Sequence, residues 1–326
     1  MLVCSRYSEY MLRNRLLPDA TRSKTTAKQR ITGDETIHRR SFLRKTGGAL
    51  AASGVLASAA GQPVSAGTDD DEVDVIDIEY DDLDTPSDAY DLFLGEAPDS
   101  YSFVEDPSAS GETAMALEFA QGVAHAGNAC YNFPEEGYGQ PSEVHSSCRV
   151  RMQEGWTQPA HDTVRFWWTG LNLDSGPCGS GQNCMPNGAN GWSTRVGWTD
   201  RDGTPGNSYR LFVYTYHMDQ AQANVGDLEL TETFVEPGEW FEFESYVRMN
   251  TYDDGGANND GVVRITIDDE VAYERENFRF SANGDQAIEY VGAGGYYWGA
   301  QHAPTTQSLY FDDHTLTVNG SADDLE

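Results

Sequence analysis

Short runs of apolar and aromatic residues, separated by clusters of turn-forming residues, are the feature that most constrains the fold. We find no long amphipathic helical pattern and no internal repeat. Strands at this spacing predict an all-β fold, a β-sandwich of the jelly-roll type. The runs are ALEFA from Ala116, HSSCRVRM from His145, TVRFWWTGL from Thr163, WFEFESYVRMN from Trp240, GVVRITID from Gly261, EYVGAGGYYW from Glu289 and SLYFDDHTLTV from Ser308.

Residues 192–220 predict a hairpin with two different faces. The runs GWSTRVGW and YRLFVYTYHMDQ flank a stretch with Asp-Gly and Pro-Gly turn signals. Because alternate residues of a strand share a face, the apolar residues pack inward, while Ser193, Arg195, Tyr214 and Tyr216 point outward together. A cation beside two phenols can neutralise a sugar carboxylate while a phenol moves a proton. The alternative is an aromatic-rich outer sheet face without chemistry.

Acidic residues greatly outnumber basic ones after residue 66. Residues 67–326 hold 10 arginines, no lysine and 49 aspartates and glutamates, hence a formal net charge of −39, against −32 for the whole chain. Such a surface repels nucleic acid and anionic membranes, so we expect neither as a partner. At molar salt the screening length falls to about 3 Å and the internal repulsion largely disappears. The composition is typical of a salt-loving organism such as a haloarchaeon. An acidic disordered chain is the alternative, which the 11% of aromatic residues disfavours.

The first 66 residues predict a leader for export. A basic stretch precedes Arg39 and Arg40, which begin a twin-arginine motif, and a mild apolar run and a small-residue cleavage site ending at Ala66 follow. The run is too short and too rich in Gly, Ala and Ser to span a membrane. We therefore expect a secreted, extracellular protein with no membrane attachment once the signal is removed. The expected regions are the leader 1–66, an acidic linker 67–86, a jelly-roll domain 87–320 and an acidic tail 321–326.

Four cysteines follow the leader, and an even number in an exported chain favours disulfides. Cys178 with Cys184 would close one glycine-rich loop, which leaves Cys130 with Cys148 as the second pair, although all three pairings remain open. The tight CxxC spacing of a zinc site is absent. We therefore expect no metal site and no cofactor.

A series of short motifs extends over residues 140–318. In order, they are CRVR from Cys148, TGL from Thr169, WSTR from Trp192, YTYHMDQ from Tyr214, PGEW from Pro237, RMNT from Arg248, NDGVVRITIDDE from Asn259, YYWGA from Tyr296 and LYFDDHTL from Leu309. Each motif alone is weak, but the order is specific. The series resembles the jelly-roll polysaccharide lyases, namely the alginate and glucuronan lyases of families 14 and 20.

The resemblance implies a reaction and a set of roles. Members of that group cleave uronic-acid polysaccharides by β-elimination, in which a base removes the C5 proton and an acid protonates the departing O4 oxygen. Tyr214 and Tyr216 match the tyrosine pair that serves as base and acid, and Ser193 and Arg195 match the residues that contact substrate. A free phenol loses its proton at about pH 10, so a working base needs a nearby cation, for which Arg195 is the candidate. A salt bridge from Arg195 to a carboxylate is the alternative.

One departure concerns the lysine of the family motif KLPGL. When the Gly-Leu of residues 170–171 is aligned with that motif, Trp167 occupies the position of the lysine. The cation that would handle the substrate carboxylate is therefore missing there. Arg165 lies two residues earlier, on the face that it would share with Trp167 in a regular strand. The hypothesis is that Arg165 reaches into the site in its place.

Two further groups are candidates for the groove. His145 shares strand parity with Arg149, so it is a candidate second base facing the groove, with a structural role as the alternative. His217 has the opposite parity to the tyrosine pair, which favours a place in the core. Trp298 and Tyr296 are candidates for stacking on sugar rings, with packing at a sheet edge as the alternative.

These observations predict a secreted, salt-adapted jelly-roll sandwich of the concanavalin A-like lectin and glucanase type. It binds an acidic polysaccharide and cleaves it by β-elimination, as a monomer. The main alternative is a non-catalytic, lectin-like carbohydrate-binding module, which the missing lysine favours. A jelly-roll glycoside hydrolase is a third possibility, because EVDVID at residues 72–77 nearly matches the ExDxxE strand of those enzymes. Its last residue, Asp77, is one methylene short for the paired carboxylates of a retaining enzyme.

Overall fold

The computed structural model describes residues 73–94, 100–160, 162–171, 184–201, 205–298 and 301–320. Its strands are, in chain order, β1 (Asp74–Ile78), β2 (Asp91–Leu94), β3 (Tyr101–Val104), β4 (Ala114–Phe119), β5 (His125–Asn132), β6 (Glu143–Met152), β7 (Thr163–Leu171), β8 (Trp192–Thr199), β9 (Tyr209–Tyr216), β10 (Asp227–Val235), β11 (Trp240–Arg248), β12 (Tyr252–Asp253), β13 (Gly256–Ala257), β14 (Gly261–Ile267), β15 (Glu270–Phe278), β16 (Tyr290–Tyr297) and β17 (Gln307–Val318). The helical segments are α1 (Phe133–Glu136) and two 3-10 turns, Tyr80–Asp82 and Pro86–Asp88.

Two antiparallel sheets, which we call sheet A and sheet B, contain nearly all of the described strands. Sheet A has the order β15-β14-β11-β6-β17-β4-β3, with β1 also paired to β17. Sheet B has the order β10-β9-β8-β7-β16-β5-β2. Strands distant in sequence lie side by side, as β6 does between β11 and β17, which is the connectivity of a jelly roll. The prediction of an all-β jelly-roll sandwich is confirmed.

The hydrophobic core lies between the two sheets. In β11 the residues alternate, so Phe241, Phe243 and Val247 are buried while their neighbours are half-buried or exposed. Phe243 packs edge-on against Phe166 of sheet B at a centroid distance of 5.1 Å, and tilted against Trp167 at 5.2 Å. Each fully buried ring of this size stabilises the fold by about 1.5–3 kcal/mol through removal of apolar surface from water.

The outer faces of the two sheets differ. In β11 and β15 of sheet A the outward residues are exposed or half-buried, whereas in β7 and β8 of sheet B every residue is buried. Since one face of these strands packs on the core, their other face must also be covered. The outer face of sheet B therefore carries a buried layer of side chains, and this layer holds most of the candidate site residues.

The folded domain begins before the expected boundary at residue 87. Strand β1 pairs with the C-terminal part of β17, from Asp74 opposite Val318 to Ile78 opposite His314. The expectation of a solvated acidic linker over residues 67–86 is therefore wrong from residue 74 onward. Ile76 and Ile78 of this strand pack on the core and hold it in place. Residues 67–72, the leader 1–66 and the tail 321–326 lie outside the described residues.

A buried hydrogen-bond chain fastens the segment that follows β1. The hydroxyls of Tyr80 and Tyr90 lie 2.8 Å apart, and the Tyr90 hydroxyl lies 2.6 Å from Nδ1 of His314. The other ring nitrogen of His314 lies 3.1 Å from the hydroxyl of Ser146. Burial lowers the pKa of His314 to about 3, so the ring is neutral at ordinary pH. No helix among the described residues is long and apolar enough to cross a membrane.

Candidate functional site

The β8–β9 hairpin brings four of the candidate residues together on the outer face of sheet B. Strand pairing places Ser193 opposite Tyr216 and Arg195 opposite Tyr214. The intervening apolar residues of both strands pack in the core. The two-faced hairpin is therefore confirmed as a structure, while the roles of its four outward residues stay a prediction.

The two phenols form one hydrogen-bond chain with the backbone that follows them. The rings of Tyr214 and Tyr216 meet edge to face at a centroid distance of 5.0 Å. The hydroxyl of Tyr214 donates to that of Tyr216 at 3.2 Å, which in turn donates to the carbonyl oxygen of Asn224 at 3.4 Å. The amide of Gly226 donates to the Tyr214 hydroxyl at 2.8 Å. Both phenolic oxygens are thus engaged in the resting structure.

Two arginines lie over these rings. The guanidinium carbon of Arg195 is 5.1 Å from the ring centroid of Tyr216, and its Nε donates to the hydroxyl of Ser193 at 3.3 Å. The guanidinium carbon of Arg165 is 4.7 Å from the ring centroid of Tyr214 and 5.5 Å from that of Tyr296. At these distances the ring faces attract the cations.

A β-bulge explains how Arg165 reaches the site. Arg165 pairs with Gly197 and Trp167 with the adjacent Val196, so Phe166 is an extra residue in β7. Arg165 and Trp167 consequently face opposite sides, and the expectation that they share a face is wrong. Trp167 packs in the core, so the position of the family lysine, as aligned by sequence, points away from the outer face. The placement of Arg165 in the site agrees with the hypothesis.

Arg165 is a buried cation. Arg165 is 2% exposed, and its Nε has no hydrogen-bond partner in the described structure. Burial, and then the neighbouring guanidinium of Arg195, lower the pKa of Arg165. No carboxylate of the described residues forms an ion pair with it. Asp162 interacts electrostatically with Arg165 but forms no ion pair with it, and a buried charge without an ion pair is costly, so this position favours an anionic ligand.

The pKa of Tyr214 is raised well above its ordinary value. Burial is the largest cause, followed by the neighbouring Tyr216, while Arg165 and the amide of Gly226 act in the opposite direction. Tyr214 therefore keeps its proton at ordinary pH, which suits a proton donor rather than a proton acceptor.

His125 is a site residue that the sequence reasoning missed. It lies opposite Tyr296 in the pairing of β5 with β16, and the two rings meet edge to face at 5.6 Å. Its Nε2 lies 3.4 Å from Oδ1 of Asn128. Burial lowers the pKa of His125 to about 4, so its imidazole is neutral at ordinary pH. The only signal was a histidine in the Gly- and Ala-rich run HAGNACYN, which lacks the alternation of a typical strand.

Two tryptophans, Trp168 and Trp298, are the next candidate residues on this sheet. Trp168 lies opposite Arg195, and a Cβ on Gly294 would come within 2.2 Å of the Trp168 ring. Glycine at this position thus leaves room for the indole against the backbone of β16. Trp298, just beyond β16 and bonded through its amide to the carbonyl oxygen of Thr163, is 48% exposed. Its indole is accessible to a sugar ring, as the sequence suggested, but its role is untested.

His145 is not part of this site. It lies in β6 of sheet A, with its ring turned away from the core and 2.9 Å from a carboxylate oxygen of Glu244. The expectation that it faces the groove is wrong, because parity tells which residues of a strand share a face but not which sheet the strand joins. His217 is fully buried and packs edge-on against Phe278, as expected for a place on the other side from the tyrosines.

The expected disulfide between Cys130 and Cys148 is wrong. Both are free and buried. Cys130 lies on the outer face of sheet B beside Trp168, whereas Cys148 lies in the core between the sheets, so their side chains have no common space. Cys184 is disulfide-bonded. Cys178 lies outside the described residues, so its pairing with Cys184 stays a prediction.

The strand with the hydrolase-like pattern is also remote from the tyrosine pair. Asp77 lies in β1 of sheet A, where its carboxylate accepts a hydrogen bond from the hydroxyl of Thr315 at 3.0 Å. Among the described residues, no group of three or more His, Cys, Asp or Glu side chains is arranged to hold a metal ion. The described groups around the tyrosine pair include phenols, guanidiniums and the neutral imidazole of His125.

Comparison with known proteins finds this fold among polysaccharide lyases. No protein-family model matches the chain, and no curated protein matches it by sequence. Alginate lyase Aly36B superposes with a TM-score of 0.54 at 15% identity, covering 74% of this chain and 96% of that one. A PL-14 alginate lyase from Aplysia kurodai gives a TM-score of 0.55 at 15% identity over 70% and 90%. An endo-β-1,4-glucuronan lyase from the fungus Trichoderma reesei gives 0.50 at 14% identity over 75% and 94%.

These similarities establish the fold and no more. At 13–15% identity the chain has the jelly-roll architecture of alginate and glucuronan lyases. One of the Aly36B structures is of a mutant in complex with alginate tetrasaccharide, so that neighbour binds an alginate oligosaccharide.

Proposed function

We propose that this protein is a secreted, salt-adapted polysaccharide lyase that cleaves a uronic-acid polymer of the alginate or glucuronan type by β-elimination. The observation that carries the proposal is the pair of buried guanidiniums, Arg165 and Arg195, on the rings of two hydrogen-bonded phenols. Elimination needs a cation that neutralises the substrate carboxylate, a base and an acid within one site. The arginines of this cluster supply the cation, and the two phenols supply the base and the acid.

The two arginines neutralise the carboxylate attached to C5. This lowers the barrier to loss of the C5 proton, because the charge that develops on the carboxylate in the transition state is stabilised by cations already in place. Arg165 supplies the cation that the sequence motif lacks at Trp167. Removal from water strengthens its attraction for an anion, since there is little solvent to screen it.

The phenols divide the proton transfers. Tyr216, which accepts a hydrogen bond from Tyr214 and lies under Arg195, acts as the base after losing its proton to solvent. It takes the C5 proton, and the electron pair of that C–H bond forms the C4–C5 double bond as the C4–O4 bond breaks. Tyr214 gives its proton to the departing O4 oxygen. The products are a new hydroxyl end and an unsaturated uronate end, and Tyr214 regains a proton from solvent.

The surrounding aromatic and neutral groups orient the polymer. The neutral imidazole of His125 offers hydrogen bonding to sugar hydroxyls without adding charge. Trp168 and the exposed Trp298 provide stacking surfaces for sugar rings. Ser193, fixed by Arg195, lies opposite the base and contacts the sugar whose proton is removed.

A non-catalytic carbohydrate-binding module is the second candidate. The observation that favours it is the burial of Trp167 in the core, which leaves the aligned lysine position without any cation. In that function the same cluster holds the polymer, but neither phenol exchanges a proton with it.

One experiment separates these functions. The full chain is incubated in molar salt with alginate and with glucuronan while the ultraviolet absorbance of the unsaturated uronate is followed. We expect absorbance to grow, to be abolished in Tyr216→Phe and to be retained in Tyr246→Phe, a matched loss of a hydroxyl on sheet A. Binding without absorbance would support the module, and new reducing ends without absorbance would support a hydrolase.

A further inference from the structure

The cluster is closed to a polymer in the resting structure. Tyr214, Tyr216, Arg195 and Arg165 are 4%, 5%, 8% and 2% exposed. A sugar ring cannot reach the phenolic oxygens until a neighbouring group moves. The backbone groups bonded to those oxygens belong to Asn224 and Gly226, and we call residues 221–226, which contain them, the cover segment.

The cover segment touches the phenols through its backbone. The amide of Gly226 donates to Tyr214, and the carbonyl oxygen of Asn224 accepts from Tyr216, so one hydrogen-bond chain begins and ends in this segment. Asn224 has a positive φ of 69°, and Gln222 and Val225 pair in an isolated bridge, as in a tight turn. Residues 221–225 are exposed, so water lies on the outer side of the segment.

Both ends of the cover segment are fastened by side chains. At its start, Gln220 accepts from the amide of His217 at 3.1 Å and donates to the carbonyl oxygen of Gln222 at 2.8 Å. At its end, Asp227 lies 2.8 Å from Nε2 of His217 and 2.9 Å from Nη1 of Arg275. Between these anchors, the segment's amide of Asn224 also donates to the carbonyl oxygen of Cys184, at a long 3.4 Å.

The middle of the segment has room to move. An open cleft lined by Ala221, Gln222, Val225 and residues 226–229 runs beside it. A short turn that is solvated on one side opens at a free-energy cost well below that of global unfolding. The anchors at Gln220 and Asp227 would keep its ends in place during such an opening.

We propose that residues 221–226 are a cover that must leave Tyr214 and Tyr216 before a uronate polymer can bind, and that the cover keeps Tyr216 inactive while it is closed. The carbonyl oxygen of Asn224 accepts a hydrogen bond only from a protonated phenol, so the closed cover opposes formation of the phenolate base. Opening frees both phenolic oxygens at once, because they are linked in one chain. The identity of the ligand in this inference rests on the proposed function, whereas the opening of the cover segment does not.

The hold of the phenols on the cover segment is tested without any substrate. Hydrogen exchange of the full chain is followed by mass spectrometry in wild type, Tyr214→Phe and Tyr246→Phe. If the phenols hold the cover, Tyr214→Phe speeds exchange of the Gly226 amide by about tenfold or more, while Tyr246→Phe, which loses a hydroxyl on sheet A, does not. Equal exchange at Gly226 in all three proteins would overturn the proposal.

The ligand part uses alginate and glucuronan oligosaccharides at saturating concentration. A ligand that displaces the cover speeds exchange at Gly226, whereas one that binds over a fixed segment slows it, and slower exchange would overturn the proposal.

Gln220→Leu, which loosens one anchor, is expected to tighten oligosaccharide binding by about threefold to tenfold, because more of the protein is then open. Weaker binding in Gln220→Leu at unchanged thermal stability counts against a cover. If no oligosaccharide binds any variant while Tyr214→Phe still speeds exchange, the cover stands and the lyase function fails.

Discussion

The proposed function gives Arg165 a stability cost together with a catalytic role, and both can be measured. A buried guanidinium without an ion pair destabilises the fold, so its replacement by an apolar side chain of similar length removes that cost. We expect Arg165→Met to leave the free energy of unfolding unchanged or to raise it by about 1–3 kcal/mol. The same change removes a cation from the carboxylate site, so we expect kcat/KM on the preferred polyuronate to fall by about a hundredfold.

The matched control for this prediction is Arg149→Met. Arg149 lies on the outer face of sheet A, where its side chain is 46% exposed and 3.5 Å from a carboxylate oxygen of Asp313. Exposed pairs of this kind contribute about 0–1 kcal/mol, so neither stability nor activity should change much. Denaturant unfolding and steady-state kinetics are the two measurements. Full activity in Arg165→Met would remove Arg165 from the mechanism, and a large loss of stability would show that the guanidinium is compensated by the fold.

At the same scale, the histidines show what strand parity can and cannot predict. Parity correctly placed Ser193 and Arg195 with Tyr214 and Tyr216, because these residues belong to one local hairpin. It failed for His145, since the sheet that β6 joins is decided by long-range pairing with β11 and β17. His125 was missed for the same reason: its place beside Tyr296 exists only once β5 and β16 have paired.

At the scale of elements, the sequence predicted the strands whose runs are rich in apolar and aromatic residues. Strands β4, β6, β7, β8, β9, β11, β14, β16 and β17 correspond to the predicted runs and hairpin. Strands β1, β5, β10 and β15 are among those that were missed. Acidic residues in β1 and small residues in β5 hide their pattern. The bulge at Phe166 was also beyond prediction, since an extra residue in a ladder is defined by its partner strand.

Strand β1 gives an element-scale prediction. Its five residues pair with β17 in unbroken register, and Ile76 and Ile78 pack on the core. A chain that begins at residue 79 loses these pairs and leaves the end of β17 without a neighbour on one side. We expect the free energy of unfolding to fall by about 2–4 kcal/mol, the scale of two buried aliphatic side chains.

The control for β1 is a chain that begins at residue 73 and keeps the whole strand. Both chains are unfolded with urea at the same high salt concentration, and their midpoints and slopes are compared. If the chain beginning at residue 79 were as stable as that beginning at residue 73, residues 74–78 would be dispensable, as an acidic linker would be. The expected loss of unfolding free energy is therefore due to strand β1 and not to the acidic residues before it.

At the scale of the whole molecule, a strongly acidic chain carries a small buried site that is positive. Residues 67–326 have a formal net charge of −39, yet the described outer face of sheet B buries Arg165 and Arg195 together. A polyuronate approaching at low ionic strength therefore meets repulsion from the surface before it meets attraction from the site. Screening acts mainly on exposed charges, because buried charges interact with little water between them. Salt should thus weaken the repulsion more than the attraction.

The contrast between an exposed acidic surface and two buried arginines predicts a salt dependence opposite to that of ordinary cation–anion binding. When potassium chloride is raised from about 0.1 M to 1 M, the screening length falls from about 10 Å to 3 Å. We expect KM for alginate or glucuronan to fall by about tenfold or more and the urea midpoint to rise, since repulsion within the chain is screened as well. Arg165→Met should show a higher KM at every salt concentration but the same slope, because the acidic surface and not the site sets the slope. A KM that rises with salt, as for proteins with a basic binding surface, would show that the local arginines dominate the approach of the polymer.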